Sequence, residues 1–393
     1  MIQYISTSIQ YFMLTYLTIQ VGYLLFFSIA GKIGRKISYA QAKTLRKIRI
    51  FIPGYKEDSV IIDTAKNVLL QNYPSEIFEV VIIADSFNKS TLEALKTLPL
   101  KVVEVSFEHS TKGKALHKAI EATAHVPVDI LLILDADNHI TEGFLHAINN
   151  AFEQGYEVVQ GHRTAKNIQK PFELLDACTE EINNHIFRRG HVAVGLPSAL
   201  IGSGMAFDWQ LFISLLEDIG ETSGEDKEIE FRLVRLRKQV AFLDGVYIYD
   251  EKVAKTEVFS QQRSRWLATQ VEFFEKYFLE GWVQLSKGNI AFFNKVFQTY
   301  LFPRVVLVAA LSLWLLFTFL FSTKFFGFSL GLFVALAIAL ILGIPAKWYN
   351  KKLLMAFLQI PVALFSMLKA MMRIGKARRH FIHTPHGDST QNN

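Results

Sequence analysis

Two aspartates one residue apart, Asp135 and Asp137, follow the apolar run Ile130–Leu134. Two acids at an extended strand end point the same way and can share a hard cation such as Mg2+ or Mn2+, which takes oxygen ligands. Standing alone, such a pair is equally well a turn or a helix cap. Two more polar turns follow β-branched runs in the same manner: Pro53-Gly54-Tyr55-Lys56-Glu57 after Ile48–Ile52, and Asp85-Ser86 after Val80–Ala84. Ligands of open α/β sheets gather at the carboxyl ends of the strands. The three turns are therefore expected to converge on one edge, in a position to meet a diphosphate and its metal.

Lys112-Gly113-Lys114 opens a helical stretch reaching about Ala124. Lysines at a helix N-terminus oppose the macrodipole, a conflict that a bound polyanion would offset; a solvated basic helix start is the plain alternative. Gly202-Ser203-Gly204-Met205-Ala206-Phe207 is a small-residue turn leading into a strand, where backbone can approach a ligand closely. Glu225 and Asp226 stand at the start of the helix Asp226–Lys238, a place the dipole favours for acids whatever their function. Gln262, Arg265 and Trp266, at i, i+3 and i+4, share one helix face. Arginine forks onto phosphate or carboxylate oxygens, and an indole stacks on the apolar side of a sugar. A helix just ahead of a membrane span also carries Arg and Trp as interface anchors.

The elements that must hold these residues alternate in type. Between Lys32 and about Leu285 the runs Ile48–Ile52, Val80–Ala84, Val102–Val105, Ile130–Leu134 and Glu157–Gln160 are mostly followed by helical patterns. This predicts an α/β domain with a mainly parallel central sheet. Charge-free apolar runs flank it. Residues 1–31 contain no Asp, Glu, Lys or Arg, and Phe12–Ala30 reaches the length of about 20 residues that a span requires. No basic residue precedes that run, which argues against a cleaved signal peptide. Val305–Thr323 and Phe325–Ala346, parted by Lys324, predict a transmembrane hairpin. Leu353–Leu368 is shorter, carries Pro361 and has basic flanks, and reads as an interfacial helix in preference to another span. Lys32, Arg35 and Lys36 place the N-terminus outside and the following domain in the cytoplasm, beneath a plasma or inner membrane.

Composition narrows the class. Hydrophobic residues make up 51% of the chain, with 33 Phe, which is too apolar for a disordered or purely soluble protein. The single cysteine, Cys178, excludes a disulfide framework and a cysteine-based zinc site. The net charge of +6 is confined to one end, where residues 346–393 hold eight Lys or Arg against Asp388 alone. A basic excess beside apolar segments points to membrane lipids; a nucleic-acid partner would want a basic face across a folded domain.

In their order, Pro53-x-Tyr55-x-Glu57, Asp85, Lys112-Gly113-Lys114, Asp135-x-Asp137, the Gly202–Phe207 turn, Glu225-Asp226 and Gln262-x-x-Arg265-Trp266 resemble the processive membrane glycosyltransferases of family 2. That group holds the cellulose, hyaluronan and poly-N-acetylglucosamine synthases, and the resemblance covers about residues 45–390. It implies a GT-A type nucleotide-sugar domain with transmembrane helices, and an inverting, metal-dependent transfer from a UDP-sugar onto a growing polysaccharide. By this resemblance Pro53, Tyr55, Glu57 and Asp85 lie on the donor, Lys112 and Lys114 near its nucleotide, and Asp135 and Asp137 at the diphosphate and metal. Asp226 is then the catalytic base and Arg265 steadies the leaving diphosphate, while Gly204, Glu225, Gln262 and Trp266 line the acceptor. Chemistry agrees with that division, because the leaving group needs positive charge and the nucleophile an ionised carboxylate.

Phe381-Ile382-His383-Thr384-Pro385-His386-Gly387 resembles the gating loop of cellulose synthases, which places Thr384 at the nucleotide. His386 stands where that group has Lys, Lys56 where Asn is common, and Ala84 where Asp is common. The resulting division is an N-terminal span (1–31), a catalytic domain (32–285), an interfacial connection (286–304), a hairpin (305–346), an interfacial helix (347–380) and a gating-like tail (381–393). The group continues with further spans that complete a channel. A sequence ending at Asn393 leads instead to the expectation of an export partner, a homo-oligomer, or transfer of one or a few sugars to a lipid-linked acceptor. Asp137, Asp226 and Arg265 together argue against a non-catalytic sensor of nucleotide sugars.

Overall fold

The β-branched runs become strands because both of their faces are buried under helices. β1 (Ile48–Tyr55), β2 (Phe78–Asp85), β3 (Lys101–Val105) and β4 (Ile130–Ile133) lie parallel in the order β3-β2-β1-β4. α2 (Ile61–Leu69), α3 (Lys89–Lys96) and α4 (Lys112–Thr123) make the crossovers that parallel pairing demands. Ile48, Ile50 and Ile52 pack with Ile61, Ala65 and Val68 of α2, whereas Phe51 packs with Ala115, Leu116 and Ala119 of α4. That is the period-two alternation of a strand covered on both sides. The computed structural model describes residues 2–34, 37–217, 219, 224–252, 256–321 and 323–373.

Past β4 the sheet becomes mixed. β5 (His139–Ile140), α5 (Phe144–Glu153), β6 (Val158–Ala165), β7 (Met205–Asp208) and β8 (Ala241–Asp250) continue it in the order β4-β7-β6-β8-β5. β7 is antiparallel to both of its neighbours, and β8 runs parallel to β6. The result is a GT-A type α/β fold with the expected parallel half and an antiparallel strand set into it. β8 has no simple alternation to betray it, because its pairing with β6 jumps from Leu243 to Tyr247 and bulges out the residues between.

Between β6 and β7 the chain forms α6 (Pro171–Asn183), a π-helical stretch Asn184–Gly190, and α7 (His191–Ala193). After β7 come α8 (Trp209–Leu216) and α9 (Glu225–Arg235). α1 (Ile2–Ile33) docks on the π-helix through glycines. A Cβ on Gly190 would lie 2.2 Å from the Phe27 carbonyl oxygen, and one on Gly31 2.7 Å from that of His185. His185 Nε2 donates to the Ser28 carbonyl at 2.8 Å. Small residues let the two backbones touch, as they do between membrane helices.

α10 (Thr256–Ser286) and α11 (Ile290–Tyr300) lead to the hairpin α12 (Arg304–Phe321) and α13 (Thr323–Ile341), and α13 also packs along α1. Four segments, Thr7–Ile33, Arg304–Phe321, Lys324–Ile341 and Lys351–Met372, are long and apolar enough to cross a membrane, consistent with an integral membrane protein. The fourth is not one helix. α14 (Lys351–Phe357) stops before Leu358 and α15 (Ile360–Met372) restarts with Pro361 in its first turn, where a missing N–H costs nothing. Pieces of this length rise about 10 and 20 Å, each short of the ~30 Å hydrocarbon core. α14 packs on α6 and α15 on α10. The gating-like loop with Thr384, and all of 374–393, lie outside the described residues.

Gly190→Ala should test the docking of α1. The added methyl meets backbone, which cannot rotate away, so destabilisation of about 1–3 kcal/mol is expected, read as a lower midpoint in thermal unfolding of the detergent-purified protein. An unchanged midpoint would mean that the two backbones are not in contact.

Candidate active site

Three strand ends meet at Gly54. A Cβ there would lie 2.7 Å from Phe87 Cζ, beyond β2, and 3.5 Å from Ala136 Cβ, beyond β4. The turns after β1, β2 and β4 therefore do converge. Tyr55 and Asp85 are paired across the last rung of the β1–β2 ladder. Lys56 and Ser86, next in each chain, take left-handed φ values of 55° and 59° and turn both strands sharply. Glu57 and Asp85 are buried, and Pro53 and Tyr55 half-buried, at this edge.

The Asp135-Ala136-Asp137 segment departs from the sequence reading. β4 ends at Ile133, and residues 135–138 form a turn closed by Asn138 N donating to Asp135 O at 3.2 Å. The period-two argument for a shared direction belongs to an extended strand end and does not apply to a turn. Asp135 accepts from Lys112 Nζ at 2.5 Å. Asp137 is buried and accepts from Asn138 Nδ2 at 3.0 Å and Glu251 N at 3.2 Å. Ser203 pins the turn, accepting from Asp135 N at 2.9 Å through Oγ and donating to Asn138 Oδ1. Neither Ser203 nor Asn138 stands out in the sequence as a site residue; the only signal is Asn138 ending a run of turn-forming residues.

Lys112 Nζ also donates to the Gly202 carbonyl at 2.7 Å. Lys114 Nζ donates to the His109 carbonyl at 3.2 Å. Gly202 holds φ 84°, and a Cβ on it would meet Asp226 Oδ2 at 3.4 Å. A Cβ on Gly204 would lie 2.0 Å from Ile248 Cδ1, so close packing requires glycine there, whereas Gly202 is the glycine beside Asp226.

Gly224 lets the first turn of α9 close on α10: a Cβ there would lie 2.7 Å from Thr269 Cγ2 and 3.1 Å from Phe273 Cε2. Thr269 and Phe273 follow Arg265 by one and two helical turns on the same face, so this contact carries Arg265 to Glu225 and Asp226. The electrostatics record the meeting. Burial disfavours the Lys112 charge, yet Asp135, Glu225 and Asp226 together hold it above the ordinary lysine value. Burial lowers Arg265, with Glu225 and Asp226 opposing. Burial and the Asp226 carboxylate push Glu225 up to about 7 against the pull of Lys112 and Arg265. Asp226 Oδ1 accepts from Lys227 N at 2.8 Å.

On the outer side of α10, Trp266 is 45% exposed with the Arg263 guanidinium 4.1 Å above its ring. Arg263 in turn donates to Asp176 of α6 at 2.5 Å. Gln262 is half-buried one turn before Trp266. Among the described residues no three His, Cys, Asp or Glu gather as a metal cage, so a cation here would need oxygens from elsewhere.

Residues 130–346, more than half of the chain, match the family described as Glycosyl transferase family group 2. The chain belongs to that family. Residues 49–206 also match Glycosyl transferase family 2, so the two matched spans together run from β1 to the end of the α12–α13 hairpin. Two beta-monoglucosyldiacylglycerol synthases, from Nostoc sp. and Trichormus variabilis, are each 26% identical over 227 residues, 56% of this chain and 48% of their own. The chain thus spans about half the length of these curated relatives. A mannosyltransferase from Pyrobaculum calidifontis, solved with GDP-Man and Mn2+, shares the fold with a TM-score of 0.57 at 16% identity, over 92% of this chain and 97% of that one. Membership of family group 2 stands, but the resemblance to the processive polysaccharide synthases is corrected: both curated relatives are named for a glucosylated diacylglycerol, a lipid product.

The raised Glu225 carboxyl has a consequence for stability. The unfolded chain releases this proton near 4.5 and the folded chain near about 7, so between those limits the folded state holds the extra proton and loses stability as pH rises. Glu225→Gln should remove that slope. Thermal midpoints of wild type should fall relative to the variant from about pH 4.5 to 7; a constant offset across the window would show Glu225 to be ionised throughout.

Proposed function

We propose that the protein transfers a sugar from a UDP-sugar to a hydroxyl of a membrane lipid of the diacylglycerol type, with inversion at the anomeric carbon. The observation that carries this reading is the double role of α10. One face presents Arg265 to Glu225 and Asp226, while Leu267 packs against Met367 and Ala370 of α15, whose Phe365, Leu368 and Met372 remain exposed. An acceptor anchored in the bilayer can bring its hydroxyl to Asp226 without leaving the membrane surface. The names of the two curated relatives support the same acceptor class.

Asp226 acts as the base. Its carboxylate takes the proton of the acceptor hydroxyl as that oxygen bonds to the anomeric carbon, and the bond from that carbon to the diphosphate oxygen breaks, releasing UDP. Lys112 and Arg265 present fixed positive charge to the departing diphosphate. Pro53, Tyr55, Glu57 and Asp85 hold the uridine end, and Trp266 and Gln262 the acceptor. Asp135 and Asp137, whose carboxylates are hard oxygen donors, would hold Mg2+ or Mn2+. Such an ion supplies charge neutralisation at the diphosphate. Lys32 in the last turn of α1, and Lys347, Lys351 and Lys352 after α13, support a cytoplasmic catalytic domain, with α1, α12 and α13 spanning and α14–α15 at the interface.

Incubation with UDP-glucose and diacylglycerol should yield a lipid carrying a single sugar, identified by mass spectrometry; turnover with a soluble oligosaccharide but not with the lipid would overturn the reading. Asp226→Asn should lower transfer at least about 100-fold while UDP binding changes by no more than a few-fold. Retention of a tenth of the rate would remove Asp226 from its role. EDTA should stop turnover, and Mg2+ or Mn2+ should restore it in wild type but not in Asp137→Ala; full activity in chelator would sink the metal assignment.

A further inference from the structure

A cavity of about 200 Å³ opens between the start of α6 and α14, far along α6 from the end that leads into the π-helix. Its apolar wall is Pro171, Leu174 and Met355, and Lys170, Lys351 and Lys352 ring it. Three cations on one small cavity repel each other unless something answers them. Lys170 Nζ lies 3.9 Å from Glu173 Oε1, but that carboxylate is already engaged at the helix start, accepting from the backbone N–H of Gln169 and Lys170 at 3.1 Å each. Among the described residues Lys351 and Lys352 form no ion pair, and both are exposed at the head of α14, where the macrodipole disfavours them.

The surroundings fix the height of this cavity. It follows the apolar helix α13 by only a few residues, with Tyr349 exposed between and its hydroxyl donating to the Ile341 carbonyl at 2.7 Å, as an aromatic residue does at a membrane surface. Beyond the lysines Leu354 and Met355 of α14 and Leu358 just past its end are exposed. Basic groups, an apolar wall and an exposed apolar strip therefore succeed one another in the order in which a phospholipid offers phosphate, glycerol and acyl chains.

We propose that this cavity binds the headgroup of an anionic glycerophospholipid of the surrounding bilayer, with Lys170, Lys351 and Lys352 on the phosphate and the acyl chains along the exposed side of α14. The site is separate from the sugar-transfer residues and does not depend on their assignment. It ties the α6–α14 corner of the protein to the anionic leaflet, and each lysine near such a surface strengthens binding about fivefold.

The full chain, purified in detergent and offered equal amounts of phosphatidylglycerol and phosphatidylcholine, should retain the former preferentially by native mass spectrometry. Lys351→Gln/Lys352→Gln should weaken that retention about 25-fold, Lys170→Gln about fivefold, and Lys351→Arg/Lys352→Arg should preserve it, separating lost charge from lost folding. Equal retention of the two lipids, or an undiminished preference in the glutamine variants, would overturn the proposal. Displacement of phosphatidylglycerol by an equal concentration of glycerol 3-phosphate would also overturn it, since the cavity would then be a site for free phosphate esters.

Discussion

The Lys112 ammonium is the charge on which the candidate site depends. Asp135 arrives on the turn after β4 and Glu225 and Asp226 on the first turn of α9, and like carboxylates crowded at a partly buried edge would otherwise drive one another to take up protons. Lys112 sits at the wrong end of its helix for a cation, a cost of roughly 0.3–1 kcal/mol. Its charge-assisted bond to Asp135 is worth about 1.5–3 kcal/mol, and it adds the Gly202 carbonyl as a second acceptor. These bonds outweigh the unfavourable dipole, and Thr111 secures the helix start by capping it through Lys114 N at 3.2 Å. The positive φ of Gly202 and the bare Cα of Gly224 then follow as requirements: one aims a carbonyl at Lys112, the other lets the acid-bearing turn reach it.

Behind this edge the charges continue inward. Asn138 bridges Asp137 and Asp250, Lys252 pairs with Asp250 at 2.8 Å, and Arg163 meets Glu180 at 3.0 Å. All but the half-buried Asp250 are buried, and removing one partner of a buried pair typically costs about 3–5 kcal/mol because the other is left uncompensated. Glu180 belongs to α6, which runs into the π-helix on which α1 is docked. Through these contacts the aspartate turn is tied to the long apolar N-terminal helix, so the candidate site and a candidate membrane span share one network of short-range interactions.

The parallel half of the sheet was legible because β1, β2 and β4 are buried on both faces and read as continuous apolar runs. β8 was not, since its bulge removes the alternation. The polyanion that the basic start of α4 called for turned out to include the protein's own acids. Gly202 and Gly204 cannot be told apart by type or spacing; only their neighbours, Asp226 for one and Ile248 for the other, separate them. The acceptor class was the least legible. On the proposed reading the ordered motifs from Tyr55 to Arg265 serve nucleotide, diphosphate and base, chemistry that a polysaccharide synthase and a lipid glycosyltransferase have in common, so their order could name the family but not what receives the sugar.

What bears on the acceptor lies on the outer face of α10. Trp266 is held beneath Arg263, an interaction of about 0.5–1 kcal/mol at an exposed ring, and Arg263 is fixed to Asp176, only 9% exposed. Ser260 on the same helix donates to the Ser366 carbonyl of α15 at 3.3 Å. The indole is thus oriented by α6 and carried by a helix that rests on α15, part of a segment long and apolar enough to meet a membrane. On the proposed reading the acceptor is a lipid, which is confined to the plane of the bilayer and has already lost freedom that binding would otherwise remove, so a platform carried beside α15 has less entropy to overcome in orienting its hydroxyl.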